Sequence, residues 1–316
     1  MKNLRYISAQ PAIEYYTWQV EVMINNFIKH GINGNNIDIV CSIQNDHIPD
    51  NWKKLAERYN YVRFFFYNDE RIDKTYISSI RPHILKKHFE KYPELKDDAI
   101  FYHDCDIILT QVPKWDKFLD DDIWYLSDTR YYISAEYIKS KKCGIYERMC
   151  EIIGIDENIP ADNELNSGGA QYLMKNIDAA YWEKVEQDCV TLYQFFLDHL
   201  KLFPESPTYH PIQKWTADMW AVLWNGWYFK HEVKVVPEME FAWPMQGLDM
   251  WEKCTILHNA GVVGESADKE KYFFKGRYMS TTPYNIKLED FKENTCSYKY
   301  VEEILETAKI TALHAI

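Results

Sequence analysis

Apolar and polar positions switch between two periods along the first third of the chain. Residues 4–8 form a short apolar-rich run. Residues 13–30 carry Tyr16, Val20, Met23, Ile24 and Phe27 at helical spacing, and 37–42 return to an apolar run. A β-α-β opening is predicted. A helix over 52–59, a β-rich run over 62–67 and a helix over 80–92 continue the alternation, with Pro82 suited to an early helical position. Strands are then expected at 99–109, 123–128, 233–236 and 254–257, and helices at 182–200, 214–224 and 301–316. The polar stretch 158–166 reads as a loop. Such a sequence implies an α/β fold with a Rossmann-like, mostly parallel central sheet flanked by helices, where ligands bind beyond the C-terminal strand ends.

The run 99–109 is unusual because Asp104 and Asp106 interrupt it and the chain then turns apolar again. Two ionised carboxylates cannot end a core strand side by side without a cation or a shared proton to offset their repulsion. With no Cys or His cluster beside them, the hard oxygens suit Mg²⁺ or Mn²⁺, which leave coordination positions for phosphate. Two solvated aspartates after a strand would give the same pattern, so context decides.

At 316 residues the chain can bury a sizeable core. We expect one large domain over 1–285 and a C-terminal helical extension over 286–316 packed on it. The chain contains no run of about 18 apolar residues, the length needed to span a bilayer. The apolar part of the first eight residues is too short for a secretory signal, so a cytoplasmic protein is expected. Cysteines at 41, 105, 143, 150, 189, 254 and 296 are odd in number and lack paired spacing, which points to reduced thiols. A net charge of −12 argues against broad attachment to nucleic acid or an anionic membrane. Aromatic residues make up 16% of the chain, with 24 Tyr and 11 Trp, and their faces can stack on sugars as well as fill a core.

Further motifs follow in a fixed order. Asn166-Ser167-Gly168-Gly169 lies about 60 residues after the acidic pair, Asp218 opens an apolar helical stretch, and a late strand ends in His258-Asn259-Ala260-Gly261. Over residues 1–265 this set resembles the A-type (GT-A) glycosyltransferase fold, and is most similar to the glycogenin and galactosyltransferase-like group. The resemblance implies a metal-dependent enzyme with a nucleotide-diphosphate sugar as donor, a UDP-sugar above all. It implies that Asp104, Asp106 and His258 hold Mn²⁺ or Mg²⁺. The donor would meet Arg81, Asp104, Asn166, Gly168, Gly169, Gln171 and Gly261. The family carries a lysine shortly after that glycine, whereas this chain has Val262-Val263-Gly264, so Lys269, Lys271 or Lys275 would supply the diphosphate contact, with Lys275 preferred. Asp128 ends a strand where related enzymes contact donor sugar.

Asp218 is the first candidate for a catalytic base and Asp128 the second, with Trp215 and Trp220 beside Asp218 as an acceptor platform. A nucleotidyltransferase would also combine an α/β sheet with paired carboxylates, but residues 8–18 contain no glycine for a phosphate loop. A non-catalytic carbohydrate-binding protein is the other alternative. The acceptor hydroxyl is expected on a glycan, with a protein or a hydroxymethylated DNA base also open. A nucleic acid would need a local basic groove, for which Lys139, Lys141 and Lys142 are the candidates.

Overall fold

The computed structural model describes residues 2–141 and 144–314. Its strands are β1 (Leu4–Pro11), β2 (Ile37–Ile43), β3 (Arg63–Asn68), β4 (Ala99–Tyr102), β5 (Ile107–Leu109), β6 (Trp124–Asp128), β7 (Gly168–Lys175), β8 (Val233–Val235), β9 (Phe241–Ala242) and β10 (Ile256–His258). The longer helices are α1 (Glu14–Lys29), α2 (Asp50–Arg58), α3 (Ile80–Lys91), α4 (Ile145–Ile153), α5 (Ala179–Leu202), α6 (Ala217–Tyr228) and α7 (Cys296–Leu313).

Seven strands form a mostly parallel sheet in the order β3-β2-β1-β4-β7-β6-β8, and β5-β10-β9 form a smaller one. β2 is buried at every position, as an interior strand of a parallel sheet must be. β7 runs antiparallel to both β4 and β6. No helix among the described residues is long and apolar enough to cross a membrane.

The chain divides into two compact units, each assembled from separated segments. The first comprises Met1–Arg5, Tyr67–Tyr102 and Asp116–Pro237; the second comprises Tyr6–Phe66, His103–Trp115 and Glu238–Ile316. In the first unit the core is aromatic. Trp182 of α5 meets Phe89 of α3 and Tyr102 of β4, and Phe196 packs edge-on against Trp220 of α6. In the second, Trp18 and Val22 of α1, Ile108 of β5 and Leu257 of β10 share one buried cluster with Tyr300, Val301 and Ile304 of α7. The last helix is therefore integral to that core. The final two residues of the helix expected over 301–316 lie outside the described residues.

Local chemistry explains where the structure departs from the periodicity. The stretch expected to be a loop over 158–166 contains a short helix, Asn158–Asp162, whose first N–H is capped by the Asp156 carboxylate at 2.8 Å. Helix α4 was not expected; it is bounded by Gly144 at φ +83° and Gly154 at φ +81°, and the second supplies the left-handed C-cap that stops it. The 99–109 run is two strands separated by the turn that holds the acidic pair. Six cysteines are free and buried, and Cys143 lies outside the described residues.

Gly168 opens β7 opposite Asp128 of β6. A Cβ there would fall onto the Ser127 carbonyl oxygen and within 2.8 Å of Val235 Cγ2. Sheet packing alone thus requires a glycine. Gly168→Val should lower unfolding free energy by roughly 3 kcal/mol through overpacking, read as a fall in urea midpoint; an unchanged midpoint would remove the packing explanation.

Candidate functional site

Strand pairing in the second unit brings the acidic pair to its histidine. β10 runs antiparallel to β5 with His258 opposite Ile107, and the Asn259 N–H donates to the Asp106 carbonyl at 2.9 Å. His258 Nε2 consequently lies 3.3 Å from Asp106 Oδ1 and 3.6 Å from Asp104 Oδ2. Ligand atoms from all three side chains fall within 4.8 Å of one another, an arrangement that can hold a metal ion. Two carboxylates and an imidazole suit a divalent ion that accepts mixed oxygen and nitrogen ligands, as Mn²⁺ does more readily than Mg²⁺.

Positive charge already meets this cluster. The Lys275 ammonium is hydrogen-bonded to Asp106 Oδ2, and the Asp106 side chain is only 6% exposed. Burial by itself would raise the Asp106 carboxyl, but Lys275 and His258 outweigh it and hold the group below the usual carboxylate range. Burial opposes the charge on Lys275 as well, and Asp106 more than restores it, so the ammonium stays protonated above the ordinary lysine value. His103, fully buried before the pair, is pushed down to about 4 chiefly by burial, which keeps it neutral at pH 7. The Trp243 ring stacks on His258 at 6.3 Å. Gly261 adopts φ +81°, and a Cβ there would press on the same indole at 3.3 Å. Its backbone is therefore bare for a reason the sequence does not reveal.

The first unit gathers a different set. Arg81, near the start of α3, pairs with Asp218 Oδ2 at the start of α6. The Tyr76 hydroxyl lies 2.6 Å from Asp218 Oδ1 and 2.8 Å from the Trp215 carbonyl, and accepts the Asp218 N–H at 3.1 Å. Asp218 is thus enclosed by an arginine and a tyrosine. Asp128 binds Arg130 through both oxygens, Nε to Oδ1 at 3.0 Å and Nη2 to Oδ2 at 2.6 Å. Burial raises the Asp128 carboxyl, but its bonds from Arg130 bring it below the ordinary value.

Gln171 is fully buried and accepts from the Ser127 hydroxyl at 2.8 Å. Asn166 ends the one-turn segment Glu164–Asn166, partly buried. A Cβ on Gly169 would come within 2.6 Å of the Tyr172 hydroxyl, so the glycine makes room for that tyrosine. Trp215 is 60% exposed, whereas Trp220 is fully buried and donates its indole N–H to the Ile133 carbonyl. The expected pairing of these two tryptophans on an acceptor face is corrected accordingly: helix α6 turns Trp220 into the core. Tyr76 and Arg130 were missed by sequence reasoning. Arg130 stands two residues after Asp128, a spacing that signals a local ion pair; Tyr76 carries no such signal.

No protein-family model and no curated protein sequence matches the chain. Among solved structures it is similar to the apo form of WbbM, a bifunctional glycosyltransferase, at 11% identity and a TM-score of 0.50, with 99% of this chain and 51% of that chain covered. The chain has the GT-A fold. It spans about half the length of WbbM. The galactosyltransferase LgtC, solved with donor and acceptor sugar analogues, matches at 12% identity and TM-score 0.45 over 96% of this chain and 95% of that one. Mouse xyloside xylosyltransferase 1 matches at 9% identity and TM-score 0.41 over 81% and 97%. At these identities the likeness is one of fold, and the GT-A fold here carries its acid pair in the turn after β4.

The Lys275–Asp106 contact yields a prediction for metal-free protein. Lys275→Met should cost about 3 kcal/mol at pH 7 by stranding a buried carboxylate. The lowered carboxyl of Asp106 contributes stability that is fully present above the unfolded value of about 3.9 and is lost as pH falls through the folded value. In the variant, protonation relieves the stranded charge instead. Urea titrations between pH 7 and pH 3 should show the gap between the two proteins narrowing on acidification; a constant gap would mean that Lys275 acts through packing.

Proposed function

We propose that the chain is a metal-dependent glycosyltransferase that moves a sugar from a nucleotide-diphosphate sugar, a UDP-sugar in the first place, to an acceptor hydroxyl. The observation that carries this reading is the convergence of Asp104, Asp106 and His258, with Lys275 beside them, in a chain of GT-A fold. Asp104, Asp106 and His258 would hold a divalent ion, which would supply positive charge to the departing diphosphate. Lys275 contributes a second cation for the departing diphosphate, and the bare backbone at Gly261 permits close approach of phosphate.

The two candidate bases bear on the stereochemistry. Asp218 and Asp128 each already bind a guanidinium, so neither presents an unengaged carboxylate to an acceptor hydroxyl. That favours transfer of the acceptor proton to an oxygen of the leaving diphosphate. In this step the bond from the anomeric carbon to diphosphate breaks, the bond to the acceptor oxygen forms on the same face, and the proton leaves with the diphosphate. The sugar keeps its anomeric configuration. Asp218 and Asp128 then orient hydroxyls through their arginines.

A glycan acceptor is favoured over DNA by the net charge of −12, and the lysines named for a basic groove are placed as follows. Lys139 lies 4.2 Å from the centroid of the Tyr146 ring; Lys141 lies 4.3 Å from that of Tyr137 and donates to the His210 carbonyl. Lys142 lies outside the described residues.

Calorimetry with UDP and Mn²⁺ tests the core of the proposal. Asp106→Ala should weaken metal-dependent binding by more than about 100-fold and stop hydrolysis across a panel of UDP-sugars. Unchanged binding and turnover would remove the metal assignment, and binding without any hydrolysis or transfer in the native chain would favour a carbohydrate-binding protein. NMR of the product's anomeric proton tests retention; an inverted product would restore a protein base, with Asp218 first.

A further inference from the structure

Two exposed aromatic rings in the first unit, Tyr131 and Trp215, rest on either side of a buried one. Tyr131 and Tyr132 belong to the short helix Arg130–Ile133, and Trp215 to the single turn Lys214–Thr216. Tyr132 is buried, with its ring stacked near-parallel to the Trp215 indole at 6.4 Å and 29° and meeting Tyr131 edge-on at 4.6 Å. The outer two rings remain open: Trp215 is 60% exposed and Tyr131 65% exposed. Isolated exposed aromatics are ordinary surface features. Two exposed rings supported by a third buried one, and fixed in place, are a different case.

Polar contacts hold the backbone turn that carries Trp215. The Trp215 carbonyl lies 2.8 Å from the Tyr76 hydroxyl, and Tyr76 in turn stacks on Tyr193 at 4.6 Å. Thr216 is buried and closes the turn by donating to the Gln213 carbonyl at 2.7 Å. At the other end of the array, Arg130 is held flat against Asp128 through Nε and Nη2, which leaves Nη1 for a ligand; both side chains are 39% exposed. The array therefore offers aromatic faces, a guanidinium edge and a carboxylate edge together. That combination matches a pyranose ring, which has an apolar C–H face and a rim of hydroxyls that donate to carboxylate and accept from guanidinium. A peptide would not need the paired charges, and a nucleobase would be favoured by cations rather than by a neutralised ion pair.

We propose that Trp215, Tyr131 and Tyr132 form a stacking subsite for a pyranose ring of a glycan acceptor, with Asp128 and Arg130 reading its hydroxyls. The assignment of this ring to the acceptor rests on the glycosyltransferase reading above, whereas the binding of a pyranose to this face does not. Because the two outer rings are exposed, their removal should leave folding intact.

The experiment uses methyl β-D-glucopyranoside and methyl β-D-galactopyranoside as probes, with saturation-transfer NMR and tryptophan fluorescence on the full chain in the absence of donor and metal. Wild-type protein should saturate the C–H protons of one sugar face. Trp215→Ala should weaken binding about tenfold, Trp215→Phe should recover part of it, and Tyr131→Ala should weaken it by a smaller factor. Tyr61→Ala, an exposed tyrosine of the second unit, serves as the control and should bind as wild type. Equal affinity in wild type, Trp215→Ala and Tyr131→Ala would overturn the proposal, as would selective binding of a hydroxymethylcytosine oligonucleotide in place of either glycoside. A chain that binds the glycosides through Trp215 but cleaves no UDP-sugar would support the subsite and defeat the transferase reading.

Discussion

Two carboxylates one residue apart, one of them almost fully buried, require positive charge within reach, and much of the second unit supplies it. β10 pairs against β5 so that His258 arrives beside Asp106. The segment after Gly261 returns far enough for Lys275 to reach the same carboxylate. Helix α7 then closes the core beneath, with Tyr300, Val301 and Ile304 packed against Trp18 and Leu257. Without compensation, a buried carboxylate would favour its protonated form or unfold the turn. The charge requirement thus links residues more than 150 positions apart in sequence.

The same economy of charge recurs in the first unit with a different purpose. There two carboxylates each have an arginine of their own: Asp218 with Arg81 and Asp128 with Arg130. An acid cluster served by one lysine can take up a further cation, while a carboxylate matched one-to-one with guanidinium is neutralised and becomes a rigid hydrogen-bonding edge.

The features legible in the sequence were those with a period or a strand end attached to them. The α/β alternation gave the class of fold, and the apolar runs placed Asp104, Asp106 and His258 at strand termini, where the structure brings them together. Lys275 could be named only as one of three lysines, because the length of chain after Gly261 says nothing of its path. Tyr76 was not legible at all: its partner Asp218 is 142 residues away and both stand just outside regular elements' interiors. Gly168 and Gly169 were singled out for close approach to a donor sugar, whereas the neighbours that exclude a side chain there, the Ser127 carbonyl and the Tyr172 hydroxyl, come from strand register and from a residue three places on. Trp220 misled because a helix with an apolar face all round gives no sign of which tryptophan turns inward.

The chain passes between its two units at Arg5–Tyr6, Phe66–Tyr67, Tyr102–His103, Trp115–Asp116 and Pro237–Glu238. Neither unit corresponds to a continuous stretch of polypeptide, so no single cut releases one of them whole. A nascent chain that has emerged through Pro237 still lacks β9, β10, Lys275 and α7, and so has Asp104 and Asp106 without the groups that compensate them. Assembly of the second unit must wait for the last quarter of the sequence, which makes its contacts long-range and its folding slow relative to a domain built from neighbours in sequence. The acidic turn lies immediately after one of these crossings, so the residues richest in chemistry are also among those whose surroundings are completed last.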